Sequence, residues 1–162
     1  MHDVPIPPEL AQDPLAHRIP GLGRDPCRTP MQWDTSQNAG FPPAEPWLPV
    51  ADDYEMRNVA AQTADPVSLL NLYCRLLWYR RRSPSLFGGT YRPLNVGHGA
   101  CFAYLRTAGD EAHLIALNFT DQPQRFPIPD QPSGCLVITT HLDREGRISL
   151  ELRPHEGSVA RL

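Results

Sequence analysis

The sequence contains no lysine; all fifteen basic residues are arginine. Against eighteen acidic residues this leaves a net charge of −3. There is no basic excess to meet a phosphate backbone, so a nucleic-acid partner is not expected. Arginine used everywhere reads as genomic base composition, and its bidentate chemistry matters only at single positions. No run approaches the ~18 apolar residues of a membrane helix. No basic start followed by an apolar core marks a secretory signal. A cytoplasmic chain with no membrane partner is therefore expected. Cys27, Cys74, Cys101 and Cys135 lie too far apart for a C-x-x-C motif, and they read as free thiols in packed or semi-buried sites. The histidines at 2, 17, 98, 113, 141 and 155 show no H-x-x-x-H spacing. No metal and no other cofactor is expected.

The chain has 162 residues, room for one domain to one and a half and for a real core. Twelve of its nineteen prolines fall within residues 1–66, so residues 1–64 cannot sustain a long helix or a central strand. Ile6, Leu10, Leu15, Ile19, Leu22, Met31, Trp33, Phe41, Trp47, Leu48 and Tyr54 are nonetheless scattered through them. Large apolar groups in an irregular segment of this length read as a loop excursion laid over a larger body.

Residues 65–82 predict a long helix. Asp65 would cap it with Pro66 at its first position. Leu69, Leu72, Tyr73, Leu76 and Leu77 form one stripe. Arg80, Arg81 and Arg82 suit its C-terminal dipole, and Ser83-Pro84 stops it. Residues 65–88 thus read as a helix with its exit.

From residue 89 the period changes to that of strands. Residues 100–105, 113–118, 136–139, 148–152 and 158–162 alternate or run apolar, with turn formers such as Ala108-Gly109-Asp110 and Pro132-Ser133-Gly134 between them. Gly97-His98-Gly99 reads as a hairpin turn. The expected fold is mainly β: a small antiparallel β-sandwich over residues 89–162, preceded by one long helix and a long irregular proline-rich segment.

The residues also carry a resemblance. Arg24-Asp25-Pro26-Cys27-Arg28-Thr29-Pro30-Met31-Gln32-Trp33-Asp34, then Asn38-Ala39-Gly40-Phe41, Trp47-Leu48-Pro49-Val50, Asn58-Val59 and Gln62 resemble a stretch of bacterial α-glucosidases of the α-amylase superfamily, glycoside hydrolase family 13. Asp3-Val4-Pro5-Ile6-Pro7-Pro8-Glu9 with Gln12-Asp13-Pro14 resembles an insertion in some of these enzymes. Leu114-Ile115-Ala116-Leu117-Asn118-Phe119 and Leu152-Arg153-Pro154-His155-Glu156-Gly157 are similar to the family's C-terminal β domain.

A (β/α)8 barrel takes about 250 residues before its extra domains. The resemblance therefore implies the C-terminal portion of such an enzyme: residues 1–64 following the last barrel strand, 65–88 the terminal barrel helix and linker, 89–162 the β domain. It implies an intact enzyme that hydrolyses terminal α-linked glucose from oligosaccharides with retention, in carbohydrate metabolism. It also implies that the catalytic barrel is the missing partner and that this chain alone is inactive. The alternatives are part of a trehalose synthase or sucrose isomerase-like transglycosylating enzyme, which shares the Arg28–Trp33 string, or a stand-alone non-catalytic carbohydrate-binding module.

Retaining hydrolysis needs two carboxyl groups about 5–5.5 Å apart across the scissile bond. The family's blocks that supply its nucleophile, acid/base and third carboxylate are absent here, so no residue is assigned as catalytic. Asp52 and Asp53 read as a solvated acidic turn. Asp25 and Asp34 flank Arg28 and could salt-bridge or cap locally. By the resemblance, Arg28 closes the bottom of the glucose pocket, where a guanidinium's five donors grip hydroxyls; the alternative is an arginine that braces the loop. Trp33 and Asn38 join it as candidate substrate-binding residues. Trp33 could stack a pyranose face or anchor packing, and Phe41 and Trp47 are read the same two ways; Gln32 is a further sugar-side candidate, and Arg24 is either a second sugar-side arginine or an ion-pair partner of Asp25 or a neighbour.

Overall fold

The computed structural model describes residues 3–19, 22–41, 45–96, 99, 101–126 and 133–162. The expected hairpin at Gly97-His98-Gly99 falls largely outside them. The chain divides into two compact units, Met1–Leu70 and Asn71–Leu162.

Proline keeps the first unit irregular, as its spacing predicts, yet capping residues nucleate two short helices. Asp13 accepts from the Leu15 N–H and starts α1 (Pro14–Arg18) with proline at its first position. Asn58 starts α2 (Val59–Ala64): its Oδ1 accepts from the Ala61 N–H at 2.8 Å, and its Nδ2 donates to the carbonyls of Tyr54 and Glu55. The Val59 and Ala60 N–H groups donate to the carbonyls of Gln32 and Trp33. The first turn of α2 therefore satisfies its free donors on a distant extended segment.

The next helix, α3 (Leu69–Arg82), begins three residues later than Asp65-Pro66 suggests. The Asp65 N–H closes α2 on the Ala61 carbonyl, and its side chain accepts from the Val67 N–H in a local turn. Gln62 supplies the acceptor for the first turn of α3, taking the Leu70 N–H at 3.1 Å. The stop at Ser83-Pro84 is where α3 ends, and a single further turn follows as α4 (Pro84–Gly88). Of the predicted apolar stripe only Leu72 is buried; Leu69, Tyr73 and Leu77 are exposed. Among the described residues no helix is long and apolar enough to cross a membrane.

The second unit holds β1 (Thr90–Leu94), β2 (Cys101–Ala108), β3 (Glu111–Asn118), β4 (Gln124–Arg125), β5 (Cys135–Thr139), β6 (Gly146–Arg147), β7 (Glu151–Leu152) and β8 (Gly157–Arg161). Six strands form one antiparallel sheet in the order β1-β2-β3-β8-β5-β6; β4 and β7 pair separately. Gly109 turns the β2–β3 hairpin at a φ of +56°, a left-handed conformation that glycine adopts without a Cβ penalty. Pro93 is tolerated because β1 lies at the sheet edge.

One sheet face carries Cys101 and Ala103, with Ala116 beside them on β3. They pack with Val96, Phe126 and Leu152 into the apolar core. On the other face α4 packs against β2 and β3. Leu72, Leu76 and Leu86 line a groove of about 350 Å3 with Ile115, Leu117 and Ile138.

The expected β-sandwich, and with it the mainly-β class, does not describe this chain. The fold is mixed α/β, with one large antiparallel sheet plus helices. Helical residues cover one sheet face, and apart from the large sheet only the two-residue strands β4 and β7 pair, too little for the second sheet of a sandwich. The predicted strand 148–152 shrinks to β7. Its first half is used in single bonds, from the Ile148 N–H to the Gly134 carbonyl and from the Phe126 N–H to the Leu150 carbonyl. The cysteines are free, but only Cys101 is buried; Cys27, Cys74 and Cys135 are exposed.

A polar chain ties the helices to β3. His113 is fully buried. Its Nε2 lies 2.7 Å from the Tyr79 hydroxyl and its Nδ1 2.7 Å from the Ser85 hydroxyl. Ser85 has one hydroxyl proton, and Glu111 Oε1, 2.7 Å away, can only accept. Ser85 therefore donates to Glu111 and His113 Nδ1–H donates to Ser85. In the neutral imidazole Nε2 is then bare and the Tyr79 hydroxyl donates to it.

Burial accordingly holds the His113 pKa below its ordinary 6.5, outweighing the attraction of Glu111. A base whose folded pKa is lowered binds fewer protons folded than unfolded below 6.5. Its contribution is complete above that pH and is lost as pH falls beneath it. The thermal midpoint should drop between about pH 7 and about pH 5. H113Q should lower the midpoint at neutral pH and flatten that slope. A midpoint unchanged across this range would contradict the assignment.

Candidate functional site

The Arg24–Arg28 string folds as a 3-10 turn over Asp25–Cys27, with Pro26 fixing φ inside it. Two carboxylates hold it. Asp25 is buried, and its Oδ2 accepts from the N–H groups of Gln12 and Asp13 at 2.7 and 2.8 Å. Asp13 is buried as well. Its Oδ2 takes the Arg24 N–H at 3.1 Å and the Arg24 Nε–H at 2.7 Å, while its Oδ1 takes Leu15. Each aspartate thus satisfies backbone donors on the other's segment. The Arg24 guanidinium and these amides hold the Asp13 carboxyl well below the ordinary carboxylate range.

Arg28 follows this turn. Its Nη1 lies 3.9 Å from Asp13 Oδ2, and its side chain is 48% exposed. That distance makes an ion pair beyond hydrogen-bond reach, and the Arg28 guanidinium makes no hydrogen bond among the described residues. The structure brings Asp13 of this chain beside Arg28. The signal for Asp13 was present in Gln12-Asp13-Pro14, an acidic cap directly before a helix-opening proline.

Gln32 is buried and its Nε2 donates to Asp53 Oδ1 at 2.8 Å. Asp53 also pairs with Arg57 at 3.3 Å, so this carboxylate is spent on the loop. Trp33 is half exposed, with its backbone fixed by the Ala39 carbonyl at 2.8 Å.

Asn38 occupies the strained turn that follows. Asn38, Ala39 and Gly40 take successive left-handed φ values of 55°, 55° and 73°, and Ala39 is completely buried. Asp34 secures the turn by accepting from the Ser36 N–H and hydroxyl, which lowers its pKa. Asn38 lines a groove of about 340 Å3 with Gln37, Glu45, Pro46, Leu48, Pro49, Val50 and Tyr54. Neither Arg28 nor Trp33 lines that groove, so the three candidates do not converge on it.

Residues 7–89, more than half of the chain, match the family model of the alpha-amylase catalytic domain. The chain belongs to the α-amylase family. Because the match runs through α3 and α4, those helices and the segment before them are catalytic-domain sequence, which further removes the mainly-β reading. Over 161 residues the chain is 33% identical to an oligo-1,6-glucosidase of Parageobacillus thermoglucosidasius, covering 95% of this chain and 29% of that protein. It is 32% identical to a trehalose-6-phosphate hydrolase of Bacillus subtilis, covering 94% and 28%. Among solved structures it is similar to the trehalulose synthase MutB of Pseudomonas mesoacidophila, at 34% identity and a TM-score of 0.73, covering 86% of this chain and 26% of that one. The chain therefore spans less than a third of the length of these α-amylase-family relatives.

The left-handed turn gives a direct check on the site's scaffold. A Cβ at Gly40 would stand 2.9 Å from the Asp34 carboxylate at a φ of +73°. G40A should lower stability by about 1–2 kcal/mol from the left-handed strain alone, with more from displacing Asp34. Urea unfolding followed by Trp33 and Trp47 fluorescence measures it; an unchanged midpoint would show that the turn is not strained.

Proposed function

We propose that this chain is part of an α-glucosidase that hydrolyses terminal α-linked glucose from short oligosaccharides with retention of configuration, in the cytoplasmic metabolism of carbohydrates. The two carboxyl groups that such chemistry needs are supplied by catalytic-domain sequence outside these 162 residues. In this reading residues 1–64 follow the last barrel strand, residues 65–88 are the terminal barrel helix and its exit, and residues 89–162 are the β domain behind it. The α-glucosidic oligosaccharide is bound only when the barrel is present.

The observation that carries the reading is Arg28. A guanidinium on a turn fixed by two buried carboxylates, making no hydrogen bond among the described residues, suits the hydroxyls of a glucose ring. A site built to hydrogen-bond such groups rejects ligands that lack them. The oligo-1,6-glucosidase similarity supplies the substrate class. Trp33, half exposed, offers a ring to a sugar face. Asn38 contributes through the shape of its turn.

The purified chain should release no nitrophenol from 4-nitrophenyl α-glucoside. In the polypeptide that also carries the barrel, R28A should cut kcat/KM for isomaltose by about 100-fold. Product analysis on sucrose separates hydrolysis from the isomerising alternative, which the trehalulose synthase similarity keeps in view. Turnover by the chain alone, or an R28A enzyme with wild-type kcat/KM, would overturn the proposal.

A further inference from the structure

Asp13 Oδ2 is shared unequally between two arginines. Arg24 holds it with two N–H groups, at 3.1 and 2.7 Å, whereas Arg28 waits at 3.9 Å. Asp25 does not compete for either guanidinium through Oδ2, because that oxygen is filled by the Gln12 and Asp13 amides. Arg28 makes no hydrogen bond from its guanidinium among the described residues. Two opposing demands meet here. A half-exposed arginine side chain left to itself samples many rotamers and loses that entropy on gripping a ligand. An arginine tied by close hydrogen bonds spends part of its five-donor fork on them.

We infer that Asp13 is a positioning residue for Arg28: it fixes the guanidinium by charge at a distance too long to consume its donors, and Arg24 enforces that distance by filling the same oxygen. The inference rests on the sugar-contacting role proposed above for Arg28 and adds to it the pair of residues that prepares the contact. Asp25 serves at one remove. By accepting the Gln12 and Asp13 amides it holds the Asp13 backbone against the Arg24–Arg28 turn.

The order of Arg28 can be read with no sugar present, from the Nε–H resonances of the arginines in the isotopically labelled full chain. In D13N the side-chain carbonyl can still accept from Leu15, so the cap survives while the charge is lost. The Arg28 heteronuclear NOE should then fall to that of a free surface arginine. In R24Q the oxygen is released, Arg28 should close into a hydrogen bond, and its Nε–H exchange should slow by about tenfold. D13E restores the charge and should recover at least half of the lost order.

The backbone amide signals of residues 45–70, in the same compact unit, report whether each variant remains folded there. If D13N fails to fold, R24Q alone decides the matter. Arg28 signals unchanged in both D13N and R24Q would overturn the inference. Because the readout needs no ligand, its failure would leave the sugar-binding reading to the turnover assay, and failure of that assay would leave the clasp intact.

Discussion

A carboxylate taken out of water must be met by donors or it will neutralise. Asp13 meets this demand through both oxygens and Asp25 through Oδ2 alone: Asp25 Oδ2 takes the Gln12 and Asp13 amides while its buried Oδ1 has no hydrogen-bond partner among the described residues, and Asp13 takes the Leu15 amide and the Arg24 amide and guanidinium. Backbone that proline prevents from pairing in a helix or sheet still finds acceptors this way. Neither aspartate can be exchanged for an apolar residue without orphaning N–H groups on the opposite segment. The conformation of the Arg24–Arg28 turn, and so the placement of Arg28, depends on this exchange.

The second unit solves a comparable problem with a neutral group. His113 in β3 lies beneath helical residues on a sheet face, and a buried imidazolium there would face desolvation and the charge of Arg161, with Glu111 at 3.8 Å as counter-charge. The ordered donation from Tyr79 through His113 and Ser85 to Glu111 satisfies each group without a buried net positive charge. A second cluster serves the loop before β8. Glu156, buried, accepts from the backbone and guanidinium of Arg153 and from Arg144. Arg153 in turn holds Asp143 bidentately, keeping its pKa near about 2. Both networks use arginine or imidazole geometry where lysine, absent from this chain, would offer only a point charge.

Local rules made part of this legible in the sequence. Proline density marked the irregular first unit, and Ser83-Pro84 marked the end of α3. Gly109 marked the hairpin between β2 and β3. The arginine-and-proline string pointed to the family, which the catalytic-domain match establishes. What could not be read depended on partners distant in sequence. Asp65 looked like a helix cap because nothing local revealed that it would close α2. The sandwich followed from strand spacing, and spacing does not show that α4 covers β2 and β3. Arg28 was singled out through its family likeness, but Asp13 stands fifteen positions earlier, across a proline-rich stretch that no periodicity spans. Asn38 drew notice as a polar candidate, although its left-handed φ of 55° gives it a clear structural task in the turn that buries Ala39.

Hydrogen exchange at three backbone amides, Gln12, Asp13 and Arg24, tests the central claim most directly. If the two aspartates hold the turn as described, these amides should exchange at least about 100-fold more slowly than unstructured amides. D25N should release Gln12 and Asp13 before Arg24. Exchange of all three at unprotected rates in the wild-type chain would contradict the account.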